Sequence, residues 1–153
     1  VDIGSSYLMN DVSAAYLWGN LEKIEEINKD RSRSWERYYW ELKSLEEKGF
    51  ISLPTIPKDC IHNSHMFYLK GKDLKTRTEL LKFLTLNDIL AVFHYVPLHS
   101  AKAGLNFGEF SGTDEFTTSE SGRLIRLPMY YGLEKTEVSY VTNTIKKSYD
   151  QTK

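Results

Sequence analysis

The chain is poor in the features that place a protein quickly. It has one cysteine, Cys60, so no internal disulfide can form. No apolar run is long enough to span a bilayer, and no segment has the charged-then-apolar order of a signal peptide. A reducing cytoplasm is therefore the default expectation. Neither sign of charge is in excess: 20 basic against 21 acidic residues leave a net charge of -1, which gives no general electrostatic reason to hold nucleic acid or an anionic membrane. There is no internal repeat, no low-complexity tract, no Gly-rich phosphate loop and no Ser-His-Asp ordering. Any phosphate the protein touches must be met by local groups.

What is plentiful is aromatic surface. Aromatic residues make up 13% of the chain and ten of them are Tyr, a residue favoured where one side is apolar and the other wet. That composition fits a subunit or domain interface. The 153 residues suit one domain, 1–153, able to bury about two thirds of its unfolded surface.

Asn10 or Asp11 can cap a helix, and Ala14, Leu17, Trp18, Leu21, Ile24 and Ile27 then recur at helical spacing. After a polar stretch at residues 28–34 the stripe resumes at Trp35, Tyr38, Tyr39, Leu42 and Leu45, with Gly49 as the stop. The pattern predicts one long helix, bent near Asp30 and about 57 Å long if continuous. Part of such a helix must pack on something beyond a small domain. The spacing does not keep a strict heptad, so a domain-connecting helix explains it better than a coiled coil.

Strands are expected at Phe50 to Leu53, at His65 to Lys70 and at Ile89 to Tyr95. Thr76-x-x-Glu79 predicts a helix start, as does Thr117-x-x-Glu120, whose helix Pro128 would end. Residues 102–121 read as a long surface loop, and Val138, Val141 and Ile145 line a last helix. The expected fold is α/β of the α+β kind: a long N-terminal helix with a small, mainly antiparallel sheet covered by helices.

Three segments carry a resemblance: the polar loop Gly4-Ser5-Ser6-Tyr7 running into the first helix, Phe93-His94-Tyr95-Val96-Pro97-Leu98-His99, and Leu127-Pro128-Met129-Tyr130 before the last helix. In order and spacing they resemble the C-terminal part of DegT/DnrJ-like sugar-nucleotide aminotransferases, which use pyridoxal phosphate. Within that family they are most similar to enzymes that aminate dTDP-4-keto-6-deoxyglucose. The resemblance implies a small C-terminal domain of the aspartate-aminotransferase-like fold, a homodimer, and a nucleotide sugar and glutamate as substrates.

By resemblance, the Ser5, Ser6 and Tyr7 loop reaches across a dimer interface toward the cofactor phosphate. Hydroxyls and free N–H groups at a helix start suit an anion, although serines there can equally shape the turn and cap the helix. Many family members have Asn where Ser6 stands and Arg where Leu8 stands. His94, Tyr95 and His99 line the nucleotide-sugar pocket by the same resemblance; without it, a His near a strand end reads as a structural hydrogen-bonding group. Cys60, His62 and His65 lack the spacing of a zinc site. Arg123 and Arg126, one turn apart on the expected short helix, could meet a phosphate or form surface ion pairs.

Transamination needs a Schiff-base lysine and a carboxylate beside the pyridine nitrogen. Neither is recognisable here, and the resemblance places both in a larger N-terminal domain that does not precede Val1. The chain alone is expected not to transaminate, and to self-associate through its first helix. A stand-alone nucleotide-sugar-binding module and a purely structural dimerisation domain remain open alternatives.

Overall fold

The computed structural model describes residues 7–150. Helix α1, Asp11–Leu21, is capped by Asn10, whose side chain accepts from the Ser13 N–H at 2.9 Å. None of its residues is buried. Helix α2, Ile24–Glu47, follows after a break at Glu22 and Lys23. Lys23 leaves helical geometry (φ -113°, ψ 14°), while the Lys23 N–H closes a tighter turn onto Asn20 O.

The expected bend near Asp30 is absent because the polar stretch has partners across the fold. Ser34 is buried and donates to Leu133 O at 3.2 Å, and Asp30 accepts from Gly132 N–H at 2.7 Å and from Arg33 at 2.6 Å. These bonds hold residues 28–34 helical against the turn before α6, Lys135–Asp150. Beyond that stretch Trp35, Tyr38, Leu42 and Leu45 are buried, and Gly49 ends the helix in the left-handed region at φ +74°.

Among the described residues, four paired residues per strand form the sheet. Strand β1, Phe67–Lys70, pairs antiparallel with β2, Leu124–Leu127, in the register Phe67 to Leu127 and Tyr68 to Arg126. β1 begins two residues later than expected, since the Asn63 side chain takes the His65 N–H. The strand expected at Phe50 to Leu53 shrinks to a single bridge, Ser52 to Lys70. The Leu53 N–H is drawn to Glu46 Oε1 at 2.8 Å, and Pro54 has no N–H to continue the ladder. On the far edge, the strand expected at Ile89 to Tyr95 is likewise one bridge, Val92 to Arg126.

Two helix starts also move. α3, Leu74–Leu86, is capped by Asp73, which accepts from the Thr76 N–H and hydroxyl, so Thr76 lies in the first turn and is not its cap. α5, Thr117–Arg123, is held at its start by Asp114 through Thr118, and Glu120 turns instead to Lys70 and Arg123. It ends at Arg123, five residues before Pro128, because Leu124 to Leu127 is β2. The expected loop at 102–121 contains α4, Lys102–Phe107, as well as the start of α5.

The core lies between the inner face of the sheet and α2, α3 and α6: Phe67, Leu69, Ile125 and Leu127 meet Tyr38, Leu42, Leu80, Leu84, Val138 and Ile145. Glu41 ties α2 to α6, accepting from Ser139 at 2.9 Å and Thr142 at 2.5 Å. Two buried tyrosines differ in a useful way. Tyr38 donates to Pro128 O at 3.0 Å, whereas the buried Tyr149 hydroxyl has no partner among the described residues, and burial pushes its pKa up to about 12.

The same deletion of one oxygen should therefore act differently at the two sites. Tyr38→Phe is expected to cost about 1 kcal/mol or more in urea unfolding, since it also orphans a carbonyl, while Tyr149→Phe is expected to be neutral or stabilising. Equal losses in both variants would refute this account of the core.

Candidate functional site

The outer face of the sheet and the segment after Val92 carry the candidate residues. Arg126 and Val92 exchange both backbone hydrogen bonds, at 2.7 and 3.1 Å. That rung lays His94, two residues on, over the same face as the Arg126 side chain. Arg126 Nη1 lies 2.7 Å from His94 Nδ1 and 3.3 Å from Nε2. Burial first, and then the guanidinium charge, lower the His94 pKa below its ordinary value. The Tyr95 ring stacks on His94 at 4.0 Å, nearly parallel, and is itself 69% exposed. Beneath them Arg77 of α3 stands 4.7 Å over the Phe93 ring.

His99 belongs to a second cluster. It lies on a 3-10 turn, Leu98–Ser100, with Nε2 3.0 Å from Asp114 Oδ2 and 3.1 Å from the Thr118 hydroxyl. Thr118 also bonds both Asp114 oxygens, through its N–H and its hydroxyl, and these bonds hold the Asp114 carboxyl below the usual carboxylate range. The Phe110 ring packs on His99 at 4.6 Å. Together they tie the start of a hook, residues 98–116, to the first turn of α5.

Within the hook, α4 packs on the 3-10 turn so closely that a Cβ on Gly104 would stand 1.6 Å from Leu98 O. Only glycine fits there. The hook encloses a cleft of about 780 Å³ lined by Leu98, His99, Leu105, Phe107, Phe110 and Thr117. Its walls are mainly apolar with one imidazole, a composition suited to a mixed polar and apolar small molecule.

Of the residues singled out in the sequence, the structure joins His94 to Tyr95 and puts His99 in a separate cluster. Ser5 and Ser6 lie outside the described residues, and Tyr7 is 94% exposed with φ +54°. His62 packs against Trp35 at 4.5 Å, and His65 bonds Asn63 at 2.8 Å. Among the described residues no cluster of metal-ligating side chains forms. The two arginines are not neighbours on a helix. Arg123 ends α5, paired with Glu120 at 2.9 Å and bonded to Gly71 O, while Arg126 is on β2. Asp114, Thr118 and Gly104 are not singled out by the sequence, and Arg126 is singled out there only as a helical residue; the four-residue alternation at Leu124 to Leu127 is the one signal for its place on a strand.

Asp114→Asn should loosen the hook. Limited proteolysis at neutral pH is expected to cut residues 100–116 several-fold faster, with the melting temperature of the body little changed. In the unmodified chain the Asp114 carboxyl is held below its ordinary pKa. Its contribution is thus complete above the ordinary carboxylate range and lost as pH falls through the lowered value. Cutting should rise only in acid; cutting that rises first toward alkaline pH would refute the tether.

A curated relative, an uncharacterized protein of Methanocaldococcus jannaschii, is 30% identical over 155 residues, which cover 96% of this chain and 38% of that protein. The fold is shared with the aminotransferase TlmJ of Streptoalloteichus hindustanus at a TM-score of 0.83 and 19% identity, over 98% of this chain and 39% of that one. It is also shared with Spr1654 of Streptococcus pneumoniae, described as a sugar aminotransferase in its PLP form, at a TM-score of 0.76 and 20% identity, over 94% of this chain and 36% of that one. The chain thus spans less than two fifths of the length of each of these relatives. Residues 1–146 match the model of the DegT/DnrJ/EryC1/StrS aminotransferase family, and the chain belongs to that family.

Proposed function

We propose that this chain is the small C-terminal domain of a pyridoxal-phosphate-dependent sugar-nucleotide aminotransferase. In the whole enzyme, glutamate supplies an amino group that is transferred to C4 of a dTDP-4-keto-6-deoxyhexose. The match of residues 1–146 to the family carries this reading. Two separate features support it: the exposed Tyr95 ring stacked on His94 offers a stacking face, and the hook cleft bearing His99 offers mainly apolar walls with an imidazole.

In this reading the chain does not itself supply the cofactor's Schiff-base lysine. A Schiff-base lysine must be reachable as the neutral amine, yet Lys70 Nζ is engaged by Glu120 at 2.7 Å, and the hydrogen bond to Glu46, at 2.7 Å, pushes the Lys43 pKa above its ordinary value. The cofactor's chemistry, an electron sink at the substrate carbon, belongs in this reading to a larger N-terminal domain. This chain's share is to bind and orient: Ser5, Ser6 and Tyr7 toward the cofactor phosphate, and His94, Tyr95 and His99 along the sugar nucleotide. The assembly is a cytoplasmic homodimer.

A second reading, association through α1 alone, has its own observation. Val12, Tyr16, Trp18 and Leu21 are all at least half exposed on a helix with no buried residue. Trp18→Lys with Leu21→Lys should lower the mass measured by light scattering while the far-ultraviolet dichroism stays helical. A monomeric unmodified chain would end that reading.

The enzyme reading is tested on the protein as its native cell makes it. Expected are an intact mass well above 17.8 kDa, cofactor absorbance that changes on adding glutamate, and a KM for the nucleotide sugar raised about tenfold by His94→Ala. A native product of the present size with no cofactor absorbance would overturn it in favour of a binding module.

A further inference from the structure

The middle of α2 and the turn before α6 enclose a cavity of about 340 Å³ that shares no lining residue with the hook cleft. Three cations line it: Arg33 and Arg37 of α2, four residues apart, and Lys135, the first residue of α6. The side chains of Arg37 and Lys135 have no hydrogen-bond or ion-pair partner among the described residues. The two carboxylates of the lining do not neutralise them. Asp30 is taken by Arg33 Nη2 at 2.6 Å and by the Gly132 N–H at 2.7 Å, and Glu134 pairs with neither cation. Glu137, one turn on, is held by the Glu134 N–H at 2.8 Å and the Tyr130 hydroxyl at 3.0 Å. Two local rules are thus broken at one place. Like charges four residues apart on a helix repel, and a cation at the first helical position opposes the dipole. An anion held between the three cations reverses the sign of both penalties.

We propose that this cavity binds a phosphate group, held by Arg33, Arg37 and Lys135. Each guanidinium offers a planar fork of donors matched to two oxygens, and Lys135 adds a point charge. Two cations without partners call for a dianion. A volume at the small end of the range for ligand sites admits a phosphate bearing at most a short organic tail. The fold itself brings the cations together: Ser34 bonds Leu133 O at 3.2 Å and Asp30 bonds Gly132, which clamp α2 to the turn that leads into Lys135. The proposal does not rest on the enzyme reading, whose ligand lies along His94, Tyr95 and His99. α2 and α6 cover the inner face of the sheet, whereas His94 lies with Arg126 on the outer face.

The test is ¹H–¹⁵N correlation spectroscopy of the whole 153-residue chain, titrated with sodium phosphate at constant ionic strength against sodium chloride. Expected are saturable shifts of the Gly132 and Lys135 amides and of the Arg37 Nε–H that chloride does not produce. Arg37→Gln and Lys135→Gln should each raise the phosphate Kd about tenfold. Lys82→Gln, which removes the same charge from an exposed position of α3, should leave it unchanged. Shifts that grow without saturating overturn the proposal, as does a Lys82→Gln chain weakened as much as Lys135→Gln. Lys135 is exposed, so its variant decides the matter even where Arg37→Gln disturbs α2. Glycerol 3-phosphate separates the sources: tighter binding than inorganic phosphate identifies a phosphate ester as the ligand, and equal or weaker binding the free ion.

Discussion

The backbone ladder on β2 is the constraint on which the candidate site depends. Four residues, Leu124 to Leu127, are bonded on one edge to β1 and on the other to Val92, so a short strand is satisfied on both sides. Alternation then sorts its side chains: Ile125 and Leu127 go into the core and Arg126 goes out. A one-residue slip would put a guanidinium among Phe67, Leu69 and Ile145 and bare two aliphatic residues to water. The burial that fixes the register therefore also fixes the place of Arg126, and through it that of His94.

The hook obeys a different logic. It is attached to the body by polar contacts at His99, Asp114 and Thr118 and packed internally through the bare backbone of Gly104. Leu98, Leu105, Phe107 and Phe116 stay largely exposed. The cleft of about 780 Å³ thus sits in a segment with no buried residue of its own, which is where an element that adjusts to a ligand is found.

The sequence was legible where burial repeats over many residues. Trp35, Tyr38, Leu42 and Leu45, and later Val138, Val141 and Ile145, announced two of the helices that cover the core, and Gly49 announced a stop. It was illegible where a tertiary partner decides. The polar residues 28–34 read as a bend because nothing local shows that Ser34 and Asp30 bond the 132–133 turn. β2 was read as helix because four residues are too few to separate a period of two from one of 3.6. Gly104 and its neighbours read as loop punctuation, whereas the glycine marks a close approach of one segment to another. The motif His94-Tyr95 was readable through resemblance and Arg126 as an isolated charge, but their contact was visible only once the strands were paired.

Helix α1 has a further meaning in the order of events by which the chain acquires structure. Eleven residues with none buried fall below the length at which a helix holds itself together in water, and its Asn10 cap does not supply the difference. The buried core includes none of its residues, so the core can be complete before α1 packs on a neighbour.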